Sequence, residues 1–107
     1  MTDVMFSEPA DYDLIDIEYY ISTHLFNYQA ADRIVDGIIK EAADLLAFPK
    51  KYPVVSDSLF ARLGLRIAFF DNYNIFYIYL EDKDLVFVIR VLYNKADWKN
   101  ILLGYDL

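Results

Sequence analysis

The chain is predicted to be a single small α+β domain over residues 1–107, a helical hairpin packed on one face of a twisted antiparallel sheet, ordered β-α-α-β-β-β with a short C-terminal helix. Three observations predict it. Apolar residues recur at helical spacing through the first half, at Leu14, Ile17, Ile21 and Leu25, then at Ala31, Ile34, Val35, Ile38, Ala42 and Leu45. The second half carries three apolar, aromatic-rich runs separated by Asp71-Asn72 and by the stretch from Glu81 to Asp84, the pattern of a meander. Pro49 and Pro53 divide the two halves.

Taken in order, Asp3 to Phe6 suits a short first strand. Ser7 is the candidate N-cap of the first helix, with Pro9 early and acids in its first turn. That helix runs to about His24 and breaks at Asn27. The second runs from about Gln29 to Ala47, and Gly37 inside it points to close approach of the neighbouring helix. A loop through the two prolines reaches about Phe60. Strands follow at Leu63–Phe70, Tyr73–Leu80 and Leu85–Leu92, and Lys95 to Leu102 closes the chain as a helix, with Asp97 as its cap. Both phases of each strand are apolar, as for a sheet with helices on one face and an aromatic surface on the other.

Composition narrows the classes. Hydrophobic residues make up 57% and aromatic residues 18%, which excludes a disordered chain. Ten tyrosines in so small a domain require several at the surface, where they suit a binding face. Without cysteine there is no disulfide or zinc–thiolate chemistry. Neither a membrane-length apolar run nor a secretory leader is seen, so a cytoplasmic location without membrane attachment is the expectation. The net charge of −7 is uneven: residues 1–47 hold ten acidic and two basic side chains, and residues 48–107 hold seven acidic and eight basic. So few clustered cations argue against strong binding to a phosphate backbone.

Five segments in order resemble the RelE/ParE family of bacterial toxins: SEPADYDLIDIEYYI, AADRIVDGIIKEAADLLAFPKKYP, LGLRIAFFDNYNIFY and VIRVLYNKADW, the third supplying both a Gly-Xaa-Arg and a Tyr-Xaa-Ile-Phe-Tyr strand. The resemblance spans about residue 4 to residue 102. It implies the toxin of a type II toxin–antitoxin pair, partnered by a cognate antitoxin. One branch of the family inhibits DNA gyrase by binding it; the other cleaves mRNA on the ribosome.

On the nuclease reading, Arg66 and Arg90 stand where the family places phosphate-binding arginines, Tyr93 where a base-stacking tyrosine occurs, and Lys95 adds charge. Ordinary ion pairing accounts equally for the arginines, Arg90 with Asp71, Asp84 or Asp97. Leu92 and Asn74 replace a histidine and an arginine found in nuclease relatives, and neither moves a proton or neutralises a phosphate. His24 is remote from this set, and Lys50 and Lys51 read as a solvated loop. Asp11, Asp13 and Asp16 read as the solvated side of the first helix, with no metal spacing. Arg62, Tyr73, Tyr77 and Trp98 are the candidate partner contacts. The apolar tail at Leu102, Leu103 and Tyr105 is expected to move aside for a partner. No cofactor is implied. The gyrase-binding branch is favoured over the mRNA nuclease, and over a non-toxic relative that serves only as a binding module.

Overall fold

The computed structural model describes residues 2–104. The α-helices and strands among them are, in order, β1 (Asp3–Phe6), α1 (Glu8–His24), α2 (Tyr28–Asp44), α3 (Ser58–Arg62), β2 (Leu65–Phe70), β3 (Tyr73–Leu80), β4 (Leu85–Tyr93) and α4 (Trp98–Leu102), with a 3-10 turn at Glu81–Lys83 joining β3 to β4. The helix starts follow capping chemistry. Ser7 Oγ accepts from the Ala10 amide at 3.1 Å, and Asn27, which ends α1 in the sequence, caps α2 by accepting from the Ala30 amide at 2.9 Å. Helix α3 lies within the segment read as loop. Asp57 caps it, taking the amides of Leu59 and Phe60 at 3.1 and 3.3 Å. At α4 the Asp97 carboxylate accepts from the Asn100 side chain at 2.6 Å and makes no side-chain capping bond. Tyr105 lies outside the described residues.

The sheet order is β1-β4-β3-β2. Strands β2, β3 and β4 form the antiparallel meander, with Asp71-Asn72 as a two-residue turn and Asp71 in the left-handed region at φ 55°. Strand β1 pairs parallel with β4, Asp3 opposite Leu85 through Phe6 opposite Val88. The α+β class therefore holds, but the sheet is mixed rather than wholly antiparallel. A β-bulge interrupts β4: Tyr77 pairs with Val88 and Phe76 with Arg90, which leaves Ile89 as the extra residue.

Both faces of the sheet are covered. Ile17 and Ile21 of α1 and Ile34, Ile38 and Ala42 of α2 bury Ala68, Ile75, Tyr77, Val86, Val88 and Val91 on one face. On the other, Phe60 of α3 packs with Leu65, Phe76 and Leu92, flanked by Trp98, Ile101 and Leu102 of α4. The aromatic outer face expected from the strands is thus a second core. Most exposed aromatics instead cluster on the hairpin, Tyr12, Tyr19 and Tyr20 on α1 with Phe26 and Tyr28 at its tip, while Phe48, Phe69 and Tyr93 are exposed elsewhere. Among the described residues no helix is long and apolar enough to cross a membrane.

Gly37 answers to the sheet, not to the neighbouring helix. A Cβ built there would lie 2.2 Å from the ring of Phe70 on β2, so α2 sits on the sheet with no room for a methyl group. Gly37→Ala is expected to lower stability by about 1–3 kcal/mol through this clash, although alanine favours a helix by about 1 kcal/mol. Chemical denaturation checks it, and adding Phe70→Leu should restore part of the loss.

Candidate functional site

Strand β1 covers the outer edge of β4 only as far as Val88, and two side chains from the start of α1 take over beyond it. The Ser7 amide donates to the Val88 carbonyl at 2.8 Å and its hydroxyl to the Ile89 carbonyl. The Val91 amide donates to the Asp13 carboxylate at 2.9 Å. Arg90 grips the same carboxylate through two nitrogens, each at 2.8 Å. The bulge makes this possible. Val88 and Val91 both face the helices while Ile89 and Leu92 face the second core, so the Arg90 side chain is spared from both and turns to α1.

Asp13 is only 8% exposed, which corrects its assignment to the solvated side of α1. Its spacing carried the signal. Ala10, Asp13, Ile17 and Ile21 lie three and four residues apart on one buried stripe, and a carboxylate on such a stripe requires a cationic partner. That partner is Arg90, and Asp13 is not among the three acids that the sequence offers for it.

The other expected site residues fall in different places. The Arg66 guanidinium donates to the Tyr52 carbonyl in the loop after α2. The Tyr52 hydroxyl in turn donates to Glu41 at 2.9 Å, and Lys51 lies 3.6 Å from the same carboxylate, which raises the lysine's pKa. Lys50 pairs with Glu81. Tyr77 is 0% exposed and donates to the Pro49 carbonyl at 2.9 Å, so it belongs to the core and not to a contact surface. Trp98 is half-buried between Phe60 and Phe76, each ring centroid 5.2 Å away. Arg62 and Lys95 are exposed, with no ion pair among the described residues. Lys99 reaches Asp57 at 3.2 Å and ties α4 to α3. The Phe60 amide, and after it Lys99, hold the Asp57 carboxyl below its usual range. Among the described residues no hydrogen bond or ion pair joins any two of Arg66, Arg90, Tyr93 and Lys95. Two of them are tied inward, one to the loop after α2 and the other to α1.

Tyr73 and Tyr93 do come together, edge to face with centroids 6.0 Å apart, and they form one wall of a groove of about 710 Å³. It lies between the helical hairpin and the β2–β3 turn. Ile17, Ile21, Ile34 and Val91 supply its apolar floor. Tyr20, Asp16, Asp71 and Arg33 stand round it, and Leu25 opens it toward the hairpin tip. Burial raises the pKa of the Tyr73 phenol, and the negative charge of Asp71 adds to the effect. The one histidine, His24, stacks on Tyr20 at 4.8 Å outside this lining. In the sequence Asp16 reads as solvated and Asp71 as a turn residue, and Tyr20 and Arg33 do not stand out, because three separate elements assemble the rim. No group of three or more His, Asp or Glu among the described residues is placed to hold a metal ion.

The chain matches a family described as the ParE toxin of the type II toxin–antitoxin system parDE over residues 4–98. No curated protein is significantly similar to it. Among solved structures it is similar to a chain of the chromosomal ParDE system from P. aeruginosa, with a TM-score of 0.71 at 13% identity, covering 87% of this chain and 96% of that one. It is also similar to a chain of the toxin–antitoxin complex RelBE2 from Mycobacterium tuberculosis, with a TM-score of 0.61 at 21% identity, covering 86% and 96%. At these identities the likeness shows the fold.

Two outcomes test the geometry. Asp13→Ala removes the bidentate carboxylate from Arg90 and the acceptor from the Val91 amide, and should cost about 3 kcal/mol in urea denaturation. Asp13→Ala combined with Arg90→Leu should recover part of that, because the charge that lost its carboxylate is removed with it. Burial pushes the Tyr77 phenol above its ordinary value of 10.0. The folded chain then keeps a proton that the unfolded chain releases. This contribution is complete below pH 10.0 and is lost as pH rises beyond it. Tyr77→Phe should cost about 1 kcal/mol at neutral pH and make the alkaline decline in melting temperature shallower.

Proposed function

This chain belongs to the ParE toxin family of type II toxin–antitoxin systems, and we propose that it acts by binding a protein target, DNA gyrase, and is neutralised by a cognate antitoxin. One observation carries the choice of a protein target over RNA: both arginines at the phosphate-cradling positions are spent on internal acceptors. Arg90 is held by the buried Asp13 carboxylate and Arg66 by the Tyr52 carbonyl. A guanidinium already paired with a carboxylate brings little net positive charge to a scissile phosphate.

The remaining surface supports the same reading. The groove beside Tyr73 and Tyr93 is apolar at its floor and carries two carboxylates against one guanidinium at its rim. Such a surface repels a phosphate backbone and suits a protein. RNA cleavage through the 2′-hydroxyl also needs a proton acceptor, and no imidazole lines this groove. On this reading the toxin catalyses nothing itself; it is a ligand whose effect comes from the enzyme it holds. The chromosomal ParDE system and the RelBE2 complex pair a toxin with an antitoxin, which supports an antitoxin partner here.

Induced expression in a bacterium lacking the antitoxin is the decisive test, read together for growth, DNA damage response and transcript integrity. Growth arrest with a damage response and intact mRNA is expected, and the purified chain should inhibit supercoiling by DNA gyrase. Arrest with transcripts cut on the ribosome would overturn the proposal and return Arg66, Arg90, Tyr93 and Lys95 to catalytic roles. Normal growth at good expression would leave a non-toxic binding module.

A further inference from the structure

From the groove between the helical hairpin and the β2–β3 turn, we infer a docking site for a short cationic, apolar peptide segment of a protein partner, its Lys or Arg set between Asp16 and Asp71 and its apolar side chains on the floor. The inference rests on the protein-binding reading above and names the chemistry of the partner.

Three features of the groove carry it. Its floor is continuous apolar surface contributed by α1, α2 and β4, so a bound side chain loses water without meeting an unpaired polar group. Asp16 and Asp71 have no ion-pair partner among the described residues, so both carboxylates remain available to an incoming cation. Beside them stand phenols, and Arg33 is the single cationic side chain in the lining. Tyr20, Tyr73 and Tyr93 offer aromatic faces and edges, which suit a guanidinium or ammonium as well as apolar contact.

Charge decides among occupants. The two helices that border the groove carry nine acidic residues, five on α1 and four on α2, against Arg33 and Lys40, and the lining itself holds Asp13, Asp16 and Asp71 against Arg33. A second copy would bring the same acidic hairpin to this surface, and a nucleic acid would bring phosphates. A basic amphipathic segment meets complementary potential and is steered toward it.

The test uses the purified chain and two synthetic amphipathic peptides with identical leucine spacing. One carries lysine and arginine on its polar face, and the other glutamate. Titration by NMR with the cationic peptide should shift resonances of Tyr20, Leu25, Tyr73 and Tyr93, and the acidic peptide should produce no shifts. The double variant Asp16→Lys/Asp71→Lys should weaken binding about tenfold. The double variant Asp3→Lys/Asp82→Lys makes the same change in net charge at the other end of β4 and should leave affinity unchanged, because the site and not the global charge binds. Leu25→Gln should also weaken binding.

Equal weakening by the two double variants, shifts at another surface, or no binding of the cationic peptide would each overturn the inference. Failure of the toxin reading is separately visible. Peptide binding at the groove with no growth arrest on expression removes the toxin reading and leaves the docking site. Growth arrest with no groove binding does the reverse.

Discussion

The Asp13 carboxylate fixes the helical layer to the sheet, and the geometry of the rest follows from that attachment. A carboxylate this far from water is tolerated only when its lone pairs are filled, and here three N–H groups fill them. The cost of burying it is offset by Arg90 in bidentate geometry and by the Val91 amide, which would otherwise be an orphan donor on the edge of β4. One side chain thus does the work of a strand: where β1 stops, Asp13 and Ser7 continue the pairing. Because α1 is held at that edge, α2 must lie over β2 and β3, and Gly37 lets it come down onto Phe70. The groove is the space left between the hairpin so placed and the ends of the strands.

Much of this architecture was legible in the chain, for reasons specific to its residues. The apolar rows at Ile17, Ile21, Ile34 and Ile38 are helical rows, and the strand from Tyr73 to Leu80 has the predicted limits because turn residues flank it on both sides. What escaped was non-local. Five residues are too few for a helical period, so α3 reads as loop in the sequence. The direction of β1 depends on a partner more than eighty residues away. Asp13 was misplaced because a carboxylate is assigned to solvent unless a counter-charge is known, and its counter-charge lies 77 residues along the chain. Tyr77 looked available for contact, but its ring is core and its hydroxyl is used up by the Pro49 carbonyl.

The same accounting of charges shapes the function. A protein with ten basic residues has few to devote to a phosphate, and this one commits Arg90, Arg66, Lys50, Lys51 and Lys99 to its own carboxylates and carbonyls. The helical side keeps a surplus of unpaired acids and exposed aromatics. Recognition on such a surface comes from shape, aromatic contact and attraction of cationic side chains, the means by which one protein holds another. The ParE fold here is therefore a two-cored scaffold that presents one groove and one hairpin tip.

Strand β4 is the last strand to leave the ribosome and yet lies inside the sheet, between β1 and β3. The first strand waits for it, and so does α1, because Asp13 has no partner until Arg90 emerges. Contacts of this sequence separation make for slow folding, and they cannot form on a partial chain. The hairpin and the meander therefore join only after β4 has emerged, and until then the groove between them does not exist.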